Sequence, residues 1–260
     1  MPFVLEASCG NFVGCAKNEN EDNFYFDNLI IPIEKNDFNA TIDCVEDLSK
    51  ARAYAIFDGM GGESNARQAS FIAAETFSNC YNGCNQYIPN PKQFFLDYCN
   101  AADRAIEEMA QEKRLSASGS TFAGLIFSNT EVASCNVGDS KIFRIYDEKI
   151  VQLSVEHTDR EVLKKIGINK KPTLLQYLGM KKQGVEIEPF ISKGSIKGDN
   201  YFVLCSDGVS DVVSPSNIFK YIKEYSTPKR VVEAVLEEVK NMNGMDNSTV
   251  IVVKITEQRS

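Results

Sequence analysis

Short apolar runs that end in Gly, Asn or Asp alternate along this chain with two stretches of helical periodicity. The run Tyr54-Ala-Ile-Phe57 drops into Asp58, and glycines follow at 59, 61 and 62. Such a run predicts a core strand, and the glycines predict its end. Asp58 is therefore expected at the tip of a buried strand, with backbone free to crowd whatever its carboxylate holds. Residues 3–16 alternate loosely and suggest an opening strand pair. A polar turn over residues 17–22 leads to a strand at Asn23-Phe-Tyr-Phe26, and residues 28–52 read as a long hairpin excursion. From Ser64 the period changes. Ala66, Ala69, Ala73 and Phe77 share one helical face, and Phe95, Tyr98, Ala102, Ala105 and Met109 share another, with Pro91 opening the second helix.

Residues 118–153 return to strand character as an antiparallel meander, with turns at Ser128-Asn129, Gly138-Asp139-Ser140 and Asp147-Glu148. Residues 158–182 are mixed, with a short helical piece, and strands are expected at 184–192 and 200–205. Asp207-Gly208 closes the latter much as Asp58-Gly59 closes the earlier one. Helices open at Pro215 and Pro228, and the β-branched run Ser248-Thr-Val-Ile-Val-Val-Lys-Ile255 predicts a final strand. No linker, repeat or low-complexity tract interrupts this order. The expectation is a single domain over 1–260, an α+β fold of two sheets with helix pairs outside.

Composition narrows the chemistry. With 28 Lys+Arg against 36 Asp+Glu the net charge is −8, which disfavours a nucleic-acid partner. No apolar run is long enough to span a membrane, and the first residues lack the basic start of a secretory signal, so the expected location is cytoplasmic. The eight cysteines are scattered, without a CxxC, and read as reduced thiols; only Cys80 and Cys84 stand close enough to flank a metal or a disulfide. The single histidine, His157, rules out a histidine-rich metal site and leaves a Ser-His-Asp triad without a GxSxG elbow. Aspartate is abundant, and it suits hard cations.

Acids stand at strand ends repeatedly: Glu21 and Asp22 before one strand, Asp58 and Asp207 after two others, Asp246 before the last, and Asp139 in a tight turn. Each alone is an ordinary turn former, and Glu21-Asp22 alone reads as a solvated acidic turn. Together, in a chain almost without histidine, they suggest a carboxylate metal site at one rim of a sheet pair.

These stretches resemble the metal-dependent serine/threonine protein phosphatases of the PP2C (PPM) type, nearly end to end. The matching segments are Asn20-Glu-Asp22, Phe57-Asp-Gly-Met-Gly-Gly62, Ser118-Gly-Ser-Thr121, Asn136-Val-Gly-Asp-Ser140, Leu204-Cys-Ser-Asp-Gly-Val-Ser-Asp211 and Asp246-Asn-Ser-Thr-Val-Ile251. Met60 matches bacterial members. The resemblance implies a four-layer α-β-β-α sandwich with two central antiparallel sheets. It implies two Mn²⁺ or Mg²⁺ ions bridged by Asp58, with the Gly59 carbonyl as a further ligand and Asp207 and Asp246 on one ion. Glu21 and Asp22 would act through water, and Asp139 would serve a third, weaker site. Lys17 stands where the family carries a phosphate-binding Arg. Hydrolysis of phosphoserine and phosphothreonine would proceed by attack of a water bridging the two ions, with a water replacing the usual His, here Met60, in protonating the leaving oxygen. The implied partners are phosphoproteins, opposite a Ser/Thr kinase, for a monomeric enzyme. His157 falls where the family has a structural His. Three departures stand out: Lys17 gives a point charge instead of a fork, the segment from His157 to Gly179 is short, and the 28–52 excursion is long. The last two are expected to border the cleft. The competing expectation is a catalytically inactive PP2C-like domain that binds a partner; the presence of Asp58, Asp207 and Asp246 speaks against it.

Overall fold

Two antiparallel six-stranded sheets lie face to face between two layers of helix. The computed structural model describes residues 3–35, 37–115, 117–180 and 186–258. The first sheet has the order β3 (Thr41–Asp47), β1 (Phe3–Phe12), β12 (Ser248–Glu257), β11 (Asn200–Cys205), β8 (Lys141–Tyr146) and β9 (Lys149–Gln152). The second runs β10 (Phe190–Ser195), β7 (Glu131–Val137), β6 (Phe122–Ser128), β4 (Arg52–Met60) and β2 (Asp22–Phe26), and the short β5 (Gly119–Ser120) pairs with the end of β4.

The inner strands read as continuous apolar runs because both of their faces are covered. On β4, Ala53, Ala55 and Phe57 point to the helices, whereas Tyr54 and Ile56 point into the space between the sheets. On β12, Ile251, Val253 and Ile255 fill that same space, and Val250 and Val252 meet the opposite helical layer. This period of two, apolar on both sides, is how a fully buried strand reads.

Helices α1 (Glu63–Gly83) and α2 (Pro91–Glu112) cover the second sheet. Ala69 and Ala73 let α1 lie close, and Phe77 meets Tyr98 edge-on at 5.1 Å. The Asn90 side chain caps α2 by accepting from the Gln93 N–H, and Pro91 occupies its first turn. On the other side, α4 (Asp207–Ser210), α5 (Pro215–Glu224) and α6 (Pro228–Asn241) cover the first sheet, with Val231, Val232, Val235 and Val239 buried.

Three expectations are corrected. Residues 3–16 hold one strand, β1, whose neighbours are β12 and β3. The 28–52 excursion is not a free hairpin: its Thr41–Asp47 stretch is the edge strand of the first sheet. The strand expected at 184–192 is Phe190–Ser195, and positions 184 and 185 lie outside the described residues. The described cysteines, Cys80 and Cys84 included, are free thiols. Among the described residues, no helix is long and apolar enough to cross a membrane.

Candidate metal centre

Sheet register brings the acids together. Asp22 on β2 stands opposite Asp58 on β4. The next residue, Gly59, pairs with Ser120 of β5, and the Thr121 N–H donates to the Asp58 carbonyl oxygen at 2.8 Å. The Thr121 hydroxyl accepts from the Asp58 N–H at 3.0 Å, so both backbone groups of Asp58 are held. Contrary to expectation, the strand does not stop at Asp58; β4 continues to Met60, pinned by β5. Asp207 opens α4 directly after β11, and Asp246 lies just before β12, so both reach the same rim.

The result is a cleft of about 230 Å³ lined by Lys17, Glu21, Asp58, Gly59, Met60, Thr121, Asp139, Lys171, Pro172, Leu174, Asp207 and Asp246. Every sequence-predicted site residue except Asp22 is on its wall. Asp22 lies buried beneath: its Oδ2 accepts from Ser206 Oγ at 2.8 Å and Thr249 Oγ1 at 2.6 Å, and its Oδ1 is buried with no hydrogen-bond partner. The short segment after His157 does border the cleft, through Lys171, Pro172 and Leu174, whereas no described residue of 28–52 lines it. A larger groove, about 680 Å³, runs between Asp147, Lys223 and Glu257, and none of the strand-end acids that gather in the cleft lines it.

Crowding of like charges shows in the acidities. Burial, then the carboxylates of Asp22, Asp207, Asp139 and Asp246, push Asp58 well above the carboxylate range. Asp22 rises from 3.8 to about 7, through burial and the charges of Asp207 and Asp246, against the opposing hydroxyl bonds from Thr249 and Ser206. Asp139 rises to about 6, again through burial and then Asp207. Two lysines answer this charge. Lys17 pairs with Glu21 and, at 3.2 Å, with Asp246. Lys171 Nζ lies 2.9 Å from Asp207 and 3.6 Å from Asp246. With the side chains so placed, no three Asp, Glu, His or Cys groups among the described residues close around a single metal ion. The donor set is nonetheless that of a hard-cation site, all carboxylate and carbonyl oxygen, with one buried carboxylate oxygen left unpartnered.

The protein phosphatase 2C family model matches residues 40–242 of this chain. The chain belongs to that family. Its curated relatives include the protein phosphatase PhpP of Streptococcus pneumoniae, 24% identical over 211 residues, covering 77% of this chain and 85% of PhpP. The serine/threonine phosphatase Stp of Listeria innocua is 24% identical over 221 residues, covering 80% and 86%. The catalytic domain of the serine/threonine phosphatase PstP, solved with two manganese ions, superposes with a TM-score of 0.78 at 20% identity over 98% of this chain and 100% of that one. The four-layer sandwich is thus the phosphatase 2C fold. The family match begins after Glu21 and ends before Asp246, so it is the fold that joins those two residues to the rest.

Within this family member, a polar network that the sequence did not reveal holds the cleft floor. Asn247 accepts from the Glu21 N–H at 2.8 Å and donates to the carbonyls of Val13 (2.6 Å) and Glu19 (2.9 Å). Asn11 donates to Thr249, which donates to Asp22. Asn11, Asn20, Asn247 and Thr249 are all buried. Asn20, Asn247, Thr121 and Ser206 lie inside the motifs quoted above, which was their only signal. His157 ties down a turn: its Nδ1 accepts from the Gly138 N–H at 3.1 Å and its backbone N–H donates to the Gly138 carbonyl at 2.9 Å, fixing the turn that carries Asp139.

Proposed function

We propose that this phosphatase 2C chain is a divalent-cation-dependent hydrolase of phosphoserine and phosphothreonine in proteins. The observation that carries the proposal is the gathering of Glu21, Asp58, Asp139, Asp207 and Asp246 with two lysines on one small cleft, over the unpartnered oxygen of Asp22. Two Mn²⁺ or Mg²⁺ ions held there would polarise the phosphoryl group and lower the pKa of water, the chemistry by which paired cations promote in-line attack on phosphorus. Asp58 and the Gly59 carbonyl beside it would hold both ions, Asp207 and Asp246 would hold one, Glu21 and Asp22 would act through water, and Asp139 would serve a weaker third ion. Lys17, on the cleft wall, would offer a point charge to a phosphoryl oxygen when Asp246 is engaged by an ion. Among the described residues the cleft is lined by no Cys, His or Ser, and the hydroxyl it does carry, that of Thr121, is engaged with the Asp58 N–H and Ser140. The remaining assignments follow the same line: one phosphatase domain over 1–260, monomeric, cytoplasmic, acting on phosphoproteins opposite a Ser/Thr kinase.

The test is release of phosphate from a phosphothreonine peptide. Turnover is expected with Mn²⁺ and absent with EDTA. Folded protein that binds Mn²⁺ yet hydrolyses neither peptide nor a generic phosphomonoester would instead favour an inactive, partner-binding member of the family.

The acidities add a pH prediction. A carboxyl whose folded pKa is raised binds protons more tightly in the folded state, so its contribution to stability falls as pH climbs from the ordinary value towards the folded one. For Asp22 and Asp139 that window runs from about 3.8 to about 7 and about 6. The metal-free protein should therefore lose stability on this account across the window, while Mn²⁺, which binds the ionised forms, gains affinity with rising pH. Calorimetry in buffers of different ionisation enthalpy should show protons released on Mn²⁺ binding near pH 6, and fewer near pH 8. A pH-independent affinity with no proton release would contradict it.

A further inference from the structure

Lys171 is the feature of the cleft that its proposed chemistry leaves unexplained. It belongs to the loop that follows α3 (Arg160–Lys165), and 61% of its side chain is exposed, yet its ammonium turns back onto Asp207 (2.9 Å) and Asp246 (3.6 Å). The loop is fastened so that it stays there. The Asp159 carboxylate accepts from the Thr173 N–H at 2.7 Å, the Asp159 N–H donates to the Thr173 carbonyl at 3.1 Å, and the Leu175 N–H donates to the His157 carbonyl at 2.7 Å. Pro172 and Leu174, on either side of that clamp, form part of the cleft wall. Although burial works against the charge, Asp207 and Asp246 strengthen the hold of Lys171 on its proton.

We propose that Lys171 is a tethered cation that competes with the divalent ion for Asp207 and Asp246, and so sets how much metal the protein needs. The proposal rests on the reading of those two residues as metal ligands. In the metal-free protein the ammonium offsets part of the repulsion among the rim carboxylates. When an ion arrives, Lys171 must give up both partners, and afterwards it stands as a like charge close to the ion. Both effects weaken metal binding, and whatever Lys171 contributes to the metal-free state is subtracted from metal affinity by linkage. The side chain suits the role: an ammonium on a flexible stem is a point charge that can leave, where an Arg fork would grip a carboxylate with two bonds.

Lys170 supplies the control. It lies one residue away on the same loop but pairs with Asp159, at 3.9 Å, and not with the rim acids. Mn²⁺ dissociation constants would be measured by the electron paramagnetic resonance signal of free Mn²⁺ for the wild type, Lys171→Met, Lys171→Gln, Lys171→Arg and Lys170→Met, together with thermal melts in EDTA and in saturating Mn²⁺. Two partly exposed ion pairs correspond to roughly three- to thirty-fold in affinity. Lys171→Met and Lys171→Gln are expected to bind Mn²⁺ tighter by that factor and to melt lower than wild type in EDTA but not in Mn²⁺. Lys171→Arg should bind no more tightly than wild type, and Lys170→Met should stay within about twofold. Unchanged or weaker Mn²⁺ binding by both neutral variants overturns the competition. So does an equal gain in Lys170→Met, which would mean that any positive charge on the loop acts alike. A wild type that binds no Mn²⁺ overturns the metal assignment as well, and is told apart from the first outcome by that fact alone.

Discussion

Asp58→Asn is expected to lower Mn²⁺-dependent hydrolysis of a phosphothreonine peptide by at least about a hundredfold, the scale on which one electrostatic group at a reacting centre acts, without loss of stability. The substitution keeps shape and removes charge. Both backbone groups of Asp58 are held by Thr121, so the strand end stays where it is. Asp58 faces the carboxylates of Asp22, Asp207, Asp139 and Asp246, and every one of them opposes its ionisation. Relieving that repulsion should leave the melting temperature of the metal-free protein unchanged or raised. The pairing of lost activity with retained or increased stability is what a functional charge cluster predicts, since such sites hold groups the fold alone would reject. Activity within tenfold of wild type at saturating Mn²⁺ would remove Asp58 from the centre of the mechanism, and a large drop in melting temperature would make it a structural residue.

Gly59→Ala should have the opposite signature, a folding defect first and an activity defect through it. A Cβ at Gly59 would stand 2.1 Å from the Ala66 carbonyl oxygen and 2.7 Å from that of Glu21. Both obstacles are backbone, one in the first turns of α1 and one in the loop that enters β2, so neither can turn aside as a side chain would. Relief requires α1 to move off β4, against the packing of Ala69, Ala73 and Phe77. Overpacking of this kind costs about 1–3 kcal/mol or more, which for a chain of this size lowers the melting temperature by roughly 2–10 °C. Thermal unfolding followed by circular dichroism measures it. A melting temperature within a degree of wild type would show that the contact is looser than drawn. On the proposed function, the Asp58-Gly59 pair divides the roles: the acid for chemistry, the glycine for the close approach that puts the acid there.

What could be read from the chain, and what could not, follows from the range of the interactions. The β4, β11 and β12 strands were legible because sheets covered on both faces leave unbroken apolar runs; Asp207-Gly208 marked the end of β11 and Asp246-Asn247 the start of β12, whereas Asp58-Gly59 does not end β4, which runs on to Met60. The helix pairs were legible from their period and from Pro91, Pro215 and Pro228 at their first turns. The partner of Thr41–Asp47 was not, because an edge strand with every second residue exposed carries a weak apolar signal, and its pairing with β1 is decided across the sheet. The two-residue β5 is too short to leave any pattern, yet it extends β4 past Asp58. At the site, the acids announced themselves by recurring at strand ends. Lys171 did not: it stands in a basic surface loop, and only the fold shows that its ammonium turns onto two carboxylates. The Asn247 and Thr249 bonds are equally silent in sequence, since each joins residues more than two hundred positions apart.

On the proposed function, the rim of Asp58, Asp207 and Asp246 holds two cations side by side. Anomalous diffraction at the manganese edge from crystals grown with Mn²⁺ tests it directly. Two peaks are predicted, about 3.5–4 Å apart as in two-metal hydrolytic sites, with Asp58 touching both, Asp207 and Asp246 touching one, and Lys171 withdrawn from its two carboxylates. No manganese at this rim, or manganese at another surface with Lys171 still seated on Asp207 and Asp246, would contradict the account.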